Sequence, residues 1–502
     1  MQGILAQKSQ NHALLSIGGP LMYKLSSENQ LSFDSFNQPM GLTMNPENRW
    51  VIKSQTIPWS DLEVDYAKNF VSLRGNVAKP FRMALGALLI QSEFGFSDEE
   101  LVLQIQENPY LQFFIGLSGY QEAKPFDAST LVYFRKRLAP NTLLEINEKI
   151  IAYNASLLEE NLEKADEKQA PQDDDENSPP ATNHGTLSLD ATCAPQYIKY
   201  PTDIELLNTA RLHAEKIIDT LCERLACTKP RTYRKNARKD YLNVVRRKRK
   251  KSNWLRKQIR KALSYVKRDI GYILDFISKG AWLTEQETLD FQILQKIFEQ
   301  QLYMYRHKTH SVENRIVSFS QPWIRPIVRG KAKASVEFGA KLDLSVDQGI
   351  ARLEKTSFEA YNESTVLVDA IRRYFDRHGY YPQRILVDKI YRNRENIKYC
   401  KDRGIRISGP SLGRPKKDAL IDKQVAYQDN ADRVEVERSF SLLKRKFSME
   451  SIRTKLPETT LSTLCISVIA LNVSKFTALS LCFYFQTFQI YSWKRRNWRV
   501  IF

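Results

Sequence analysis

The feature that most constrains this chain is a change of hydrophobic period after residue 336. Apolar residues first alternate with polar ones, and the chain then turns at Asp347-Gln348-Gly349. A period of two with such a turn predicts a β-hairpin. Residues 363–378 follow a helical period that ends at Gly379, and Arg384–Val387 is a nearly continuous apolar run, typical of a buried parallel strand. The pattern predicts an α/β core, with a mixed sheet flanked by helices.

At 502 residues the chain is too long for a single core. Residues 159–176 contain nine acidic residues and two lysines, a composition typical of a linker. The predicted organisation, in chain order, is an irregular segment (1–60), an all-helical N-terminal domain (61–158), an acidic and proline-rich linker (159–185), a first part of the core (186–202), a basic helical insertion (203–313), the rest of the core (314–475) and a tail (476–502).

A net charge of +19 indicates a polyanionic partner or an anionic membrane surface. Most of this charge lies in residues 231–269, where seventeen Lys or Arg stand against two Asp and aromatic residues are interleaved. Although a charge run is often only a solvated helix face, this density favours binding to the DNA backbone. Its densest part is a run of six cations, Arg246, Arg247, Lys248, Arg249, Lys250 and Lys251.

Two further basic segments are candidate DNA contacts. The last of four short helices in the N-terminal domain carries Arg135 and Arg137, and short helices with a basic final helix suit a DNA-reading module. A helical packing domain with a solvated basic end fits that segment equally well. A loop rich in Pro and Gly carries Lys416 and Lys417.

The cysteines and the apolar segments bear on the cellular compartment. Six cysteines are scattered without a CxxC pair, which indicates reduced thiols. The N-terminus lacks the pattern of a signal peptide. The long apolar stretch 461–485 contains Asn472, Ser474 and Lys475, so a buried core helix is expected rather than a membrane span. We expect a cytoplasmic protein without a membrane partner.

Two aspartates stand at the ends of predicted strands. Asp190 follows an apolar run and Asp388 follows Arg384–Val387. In an open α/β sheet these strand ends form the ligand crevice. If the two strands are neighbours, the two carboxylates lie close together and need a cation to neutralise their repulsion. Magnesium prefers such hard oxygen ligands. Two such ions could support an in-line displacement at phosphorus.

A third acid lies on the last helix of the core, predicted at about 431–447. Arg433, Glu437 and Lys444 are spaced by four and seven, so they share one helix face. This face offers a metal ligand flanked by two cations suited to phosphates. An ordinary ion-pair face would show the same spacing. Asp343 and Asp347 lie on the polar face of the predicted hairpin and could approach the metal ions, whereas Glu435 points away from Glu437 across the helix; all three are interpreted as structural.

The sequence resembles the bacterial insertion-sequence transposases of the "insertion sequence five" group, from about residue 65 to 475. The resemblance rests on Pro80–Leu117, Asp190-Ala-Thr-Cys through Tyr200-Pro-Thr-Asp203, Arg325-Pro-Ile-Val-Arg-Gly, the segment Asp388–Asn396, and Arg433, Glu437 and Lys444. It implies an RNase H-like catalytic core. It also implies that Asp190, Asp388 and Glu437 bind two magnesium or manganese ions as the catalytic triad.

The same resemblance implies partners and roles. Arg433 and Lys444 would position terminal DNA, the N-terminal helices would recognise inverted repeats, and a homodimer would hold two ends and a target duplex near the nucleoid. A tyrosine that often stands three residues before the arginine is Asn430 here. Two alternatives stay open: a nuclease of the same fold that never joins ends, and a catalytically silent DNA-binding protein derived from a transposase.

Overall fold

The computed structural model describes residues 23, 33–38, 43–68, 70, 77–166, 183–328, 336–409 and 423–498. The helices before the first strand are α1 (Arg49–Gln55), α2 (Trp59–Ala67), α3 (Phe81–Phe94), α4 (Asp98–Glu107), α5 (Pro109–Phe114), α6 (Thr130–Arg137) and α7 (Pro140–Asp166). Gly95 ends α3 in the left-handed conformation, and the Ser97 hydroxyl caps α4 by accepting a hydrogen bond from the Glu100 amide.

The prediction that residues 1–60 are irregular is wrong where α1 forms. Asn48 caps this helix through the amide of Trp50, and Trp50, Val51 and Ile52 are all buried. A short helix that buries residues all round has no apolar stripe, so its sequence lacks the period by which surface helices are recognised.

The described strands form one six-stranded mixed sheet. They are β1 (Thr186–Pro195), β2 (Arg325–Val328), β3 (Val336–Asp347), β4 (Ile350–Ser357), β5 (Arg384–Val387) and β6 (Arg406–Ile407). The order is β2-β3-β1-β5-β6, with β4 on β3. Strands β1, β5 and β6 run parallel to one another, whereas β3 runs antiparallel to β1, β2 and β4. The predicted hairpin and the predicted parallel strand are confirmed.

The remaining helices flank the sheet or form the insertion. They are α8 (Asp203–Arg224), α9 (Arg234–Arg246), α10 (Ser252–Ser278), α11 (Glu285–His307), α12 (Leu367–His378), α13 (Arg394–Lys401), α14 (Lys423–Arg445) and α15 (Pro457–Trp498). Helix α12 packs on β1 and ends at Gly379 as predicted. Helix α14 begins at Lys423, eight residues before the predicted start.

Helices α8 to α11 enclose a hydrophobic cluster of their own, to which α8, α10 and α11 contribute most of the buried side chains. The chain enters this insertion after β1 and leaves it before β2. Helices α8 to α11 all lie within residues 203–313.

Helix α15 connects the N-terminal helices to the sheet. Its segment Pro457–Leu481 is long and apolar enough to cross a membrane, but 67% of its most apolar window is buried inside the protein. The Asn472 side chain is fully buried and bonds both the amide and the carbonyl of Ala351 on β4, at 3.0 and 2.8 Å, and also Asn147 on α7. One hydrophobic cluster runs from α2 and α3 through β3 and β4 to α14 and α15. Described residues on both sides of the predicted boundary at 158 therefore share one core.

Candidate active site

The two aspartates predicted at strand ends lie on or beside neighbouring strands, but only Asp388 stands at a strand end: Asp190 lies in the middle of β1, which continues to Pro195. Strand β1 pairs with β5 in parallel, with Leu189 opposite Val387. Asp190 is the next residue of β1, and Asp388 directly follows β5. Because paired residues of parallel strands point to the same face of the sheet, the two carboxylates are neighbours. Asp388 is exposed and Asp190 is half-buried.

Asp190 lies in an environment that disfavours its charge. Burial, as the largest cause, raises the pKa of this carboxyl to about 6, and the carboxylates of Glu363 and Asp388 add to the rise. The Ala191 amide, which donates to Asp190 Oδ1 at 2.8 Å, and the guanidinium of Arg433 act in the opposite direction. Charges from β1, β5, α14 and the turn at residues 363–366 thus meet at Asp190.

Helix α14 is held across the sheet by ion pairs. Arg384 of β5 contacts Asp429 at 3.2 Å and Asp432 at 2.5 Å, and Arg406 of β6 contacts Asp429 at 2.6 Å. Val436 and Leu443 on the same helix are fully buried. These contacts place Arg433, one turn after Asp429, beside the strand ends.

Glu437 is connected to the site by an ion pair with Arg433. The Arg433 guanidinium lies 3.1 Å from Glu437 Oε1, and the Glu437 side chain is 51% exposed. Since the Arg433 charge also acts on Asp190, one cation links the helix acid to the strand acids. Asp190 therefore interacts electrostatically with both Asp388 and Arg433, and Glu437 is connected to them by its ion pair with Arg433.

Whether the site fits a divalent cation depends on the chemistry of its donors. Within the described ranges, no group of three or more His, Cys, Asp or Glu side chains is close enough to hold a metal ion. Asp190 and Asp388 nevertheless supply adjacent hard oxygen donors, the ligand type that magnesium prefers. A cation beside Asp190 would also relieve the raised pKa that burial and like charges produce. Asp190 and Asp388 therefore fit a metal ion in their present positions, whereas Glu437 forms an ion pair with Arg433.

The sequence interpretation missed Glu363, which follows β4 and whose charge acts on Asp190. Glu363 forms an ion pair with Lys341 of β3 at 2.7 Å. No local pattern marks it, because its position depends on how the turn before α12 folds over the sheet end.

The acids interpreted as structural have partners. Asp343 is fully buried and accepts hydrogen bonds from the hydroxyls of Tyr361 and Tyr391. Asp347 lies 2.7 Å from His378 Nε2, and Glu435 lies 3.9 Å from Lys475.

Two segments of the chain match known protein families. Residues 385–474 match a family described as "Transposase DDE domain", and residues 42–137 match one described as "Transposase domain (DUF772)". A curated protein of Rhizobium meliloti, described as "Uncharacterized protein ORF8 in nfe locus", is 29% identical over 176 residues, which is 34% of this chain and 74% of that protein. No solved structure matches the chain.

The two matched transposase segments and this relative support a bacterial insertion-sequence transposase. Asp388 and Glu437 lie within the matched DDE segment, whereas Asp190 precedes it. The assignment to the "insertion sequence five" group stays a prediction. The matched transposase domains support a DNA-processing enzyme, and the DDE domain family generally depends on divalent metal ions.

The two N-terminal arginines predicted to bind DNA differ in their exposure. Arg135 is buried, and its guanidinium contacts both carboxylate oxygens of Asp98 and the Gln91 side chain. A buried guanidinium with these partners cannot reach a phosphate, so the prediction that Arg135 binds DNA is corrected to a structural role. Arg137 is half-buried, with its guanidinium 4.9 Å from the centre of the Phe70 ring.

The other predicted DNA contacts lie on accessible surfaces or outside the described residues. The six cations from Arg246 to Lys251 are all exposed, at the junction between α9 and α10. Arg247 stacks on the Trp254 ring at 4.5 Å. Lys444 is half-buried near the end of α14. Lys416 and Lys417 lie outside the described residues.

The helical insertion buries a carboxylate that has no hydrogen-bond partner among the described residues. Asp269 on α10 is fully buried, and neither of its carboxylate oxygens has a hydrogen-bond partner among the described residues. Burial first, and then repulsion from Glu215, raises the pKa of Asp269 to about 7, although Arg211, Arg268 and Arg234 oppose this.

We expect Asp269→Asn to change the pH dependence of stability. The folded protein holds the Asp269 proton up to about pH 7, whereas the unfolded chain releases it near its ordinary pKa of 3.8. The wild type therefore loses stability as pH rises from about 4 to 7, and the loss is constant above that range. Denaturant unfolding should show the variant gaining roughly 2–4 kcal/mol relative to wild type between pH 4 and pH 8.

The matched control for this measurement is Asp275→Asn on the same helix. Asp275 is half-exposed and pairs with Lys279 at 2.5 Å, so its variant should show no comparable pH-dependent gain. An Asp269→Asn difference that is equal at pH 4 and pH 8 would contradict the assigned protonation.

Proposed function

We propose that this protein is a DDE transposase that cleaves DNA at the ends of a mobile element and joins those ends to a target duplex, with Asp190, Asp388 and Glu437 as metal-binding catalytic residues. The observation that supports this most is the neighbouring position of Asp190 and Asp388 on parallel strands, beneath a helix that brings Arg433 and Glu437 to the same region. The mixed sheet, in which β3 and β4 form a hairpin beside the parallel strands, supports an RNase H-like core.

The residues of the site have distinct roles in this proposal. Asp190 and Asp388 would hold two magnesium or manganese ions, which when bound would activate the attacking hydroxyl and stabilise the leaving oxygen. Glu437 supplies a further carboxylate from α14. Arg433 is paired with Glu437 in the DNA-free protein, and its guanidinium can bind a phosphate through two hydrogen bonds. Lys444 adds a second cation along the helix. Together these cations would hold the terminal phosphodiester beside the two strand acids.

The basic surfaces would hold the rest of the DNA. The exposed run from Arg246 to Lys251, followed by Trp254 and the basic turns of α10, supports contact with the DNA backbone. The N-terminal helices would recognise the terminal inverted repeats. Because two element ends must be brought together, we propose a homodimer on DNA, working in the cytoplasm at the nucleoid.

Joined products are the test of this function. Purified protein should convert a donor duplex with element ends and a separate target duplex into covalently joined DNA when magnesium or manganese is present, and chelation with EDTA should abolish the products. Release of cut ends without joining would favour the nuclease alternative. Binding of the ends without cleavage under any metal condition would favour the silent DNA-binding alternative.

A further inference from the structure

A hydrogen-bonded cluster lies close to Asp190 along β1, on the face of the sheet to which the neighbouring Ala191 points. Asp343 of β3 is fully buried and accepts two hydrogen bonds, one from the Tyr361 hydroxyl and one from the Tyr391 hydroxyl at 2.5 Å. Both tyrosine rings approach from segments that follow strands, Tyr361 after β4 and Tyr391 after β5. A buried carboxylate with two hydroxyl donors fixes both rings, because breaking either bond would leave a buried polar group unpaired.

Tyr391 belongs to the same short turn as Asp388. Asp388 caps this turn, Lys389–Tyr391, by accepting the Lys389 amide at 2.7 Å, and the Asp388 carbonyl accepts the Tyr391 amide at 3.1 Å. The Tyr391 side chain is fully buried, whereas Asp388 is exposed. The turn therefore has its acid at the surface and its tyrosine anchored in the interior.

The strand order shows which strand lies between the Asp388 turn and Asp343. Strand β1 lies between β5, which leads into the turn, and β3, which carries Asp343. To reach Asp343, the Tyr391 side chain has to span β1, and Ala191 is the β1 residue paired with Asp343. Ala191 follows Asp190 directly, and its small side chain leaves space for a ring over the strand. The hydroxyl bond thus ties the Asp388 turn to the sheet at the level of Asp190.

We infer that Tyr391 is a positioning residue: through its bond to Asp343 it holds the turn that carries Asp388 in register with Asp190. Tyr361 bonds the same carboxylate, but its backbone lies in the connection between β4 and α12, so it anchors a different segment. Both tyrosines donate to Asp343, but they anchor different segments of the chain. This inference rests on the proposed function, because it concerns the spacing of the two proposed metal ligands.

The shared acceptor supplies a matched pair of variants. Tyr391→Phe and Tyr361→Phe each remove one hydroxyl from the same buried carboxylate, so both should lower the melting temperature by similar amounts. Only Tyr391→Phe frees the Asp388 turn. A role in core stability alone predicts equal effects on activity, whereas a positioning role predicts unequal ones.

The measurements are manganese binding to the DNA-free protein by electron paramagnetic resonance, single-turnover cleavage of end-bearing DNA, and affinity for that DNA. For Tyr391→Phe we expect manganese affinity and cleavage rate to fall about 10–100-fold, as for other groups that orient metal ligands, with DNA affinity unchanged. Tyr361→Phe should stay within about threefold of wild type in all three. Equal effects of the two variants on manganese binding would overturn the inference.

A second variant keeps the test decisive if Tyr391→Phe does not fold. Asp343→Asn preserves shape and weakens the bond that Tyr391 donates, so it should also reduce manganese affinity and cleavage. Wild-type manganese affinity and cleavage in Asp343→Asn would overturn the inference. The proposed function fails separately, if Asp388→Asn itself leaves cleavage intact.

Discussion

Asp190→Asn and Asp388→Asn should each lower the rate of DNA cleavage on the order of a thousandfold, while DNA affinity stays near that of the wild type. Loss of a charged metal ligand removes several kcal/mol of transition-state stabilisation, and each 1.4 kcal/mol is a tenfold change in rate. An asparagine side chain at position 190 can still accept the hydrogen bond from the Ala191 backbone N–H, so the local backbone should keep its conformation. Single-turnover cleavage of labelled end DNA, beside gel-shift binding of the same DNA, measures both quantities.

Asp190→Asn carries a second expected signature in metal-free protein. The folded pKa of Asp190, about 6, lies above its ordinary value of 3.8, so wild-type stability falls as the pH rises from about 4 to 6 and the loss is constant above that range. The variant should therefore be at least as stable as wild type at pH 8 in EDTA, and its relative gain should vanish near pH 4. Loss of cleavage without loss of stability separates a catalytic role from a structural one.

The helix acids supply the matched control for this experiment. Glu437→Gln should behave like the aspartate variants, whereas Glu435→Gln should stay within a few-fold of wild type. Glu435 lies on the same helix and is similarly exposed, but its nearest cation is Lys475 rather than Arg433. Equal activities of the two glutamine variants would exclude Glu437 from the site.

Neutralising the run from Arg246 to Lys251 with glutamine should weaken DNA binding about 10–100-fold near 0.1 M salt and flatten its salt dependence. Each phosphate contact contributes about 0.9 to the slope of log K against log salt, so loss of up to six contacts lowers that slope by as much as about 5. These side chains are exposed, so the fold of the insertion should not change. Fluorescence anisotropy with a DNA duplex across a salt series measures the slope.

A charge-preserving variant tests whether charge is what matters here. Replacing Arg246, Arg247 and Arg249 with lysine keeps the charge and removes the guanidinium groups, including the one stacked on Trp254. Its salt slope should match that of the wild type. If the glutamine variant also keeps the wild-type slope, the run is a solvated surface and the DNA path lies elsewhere.

Local patterns predicted the elements of the core because each pattern reports on its own segment. The turn at Asp347-Gln348-Gly349, the glycine after α12 and the apolar strand β5 all occur as expected. The start of α14 could not be predicted this way. Its first residues are exposed, Val425 and Tyr427 included, so they bury no apolar stripe, and Asp429 and Asp432 hold the helix through arginines of β5 and β6.

The candidate site depended on information that no local pattern contains. That Asp190 and Asp388 are neighbours follows from β1 lying beside β5, a pairing between segments almost two hundred residues apart. The sequence suggested it only through the general rule for strand ends and through family resemblance. Glu363 and the bond from Tyr391 to Asp343 depend on such long-range packing and went unrecognised. Arg135 was misinterpreted because its partner, Asp98, lies on another helix.

The packing of α15 bears on how the protein would select its cleavage position. Asn472 joins α7 to β4, Arg352 of β4 pairs with Glu148 of α7 at 3.0 Å, and the Ser92 hydroxyl of α3 donates to the Phe447 carbonyl just after α14. The helices proposed to read the inverted repeat are thus joined to the elements that carry the acids. In such a molecule the number of base pairs between the recognised sequence and the cut bond is set by the protein's own dimensions, so the DNA would have to bend to fit a different spacing.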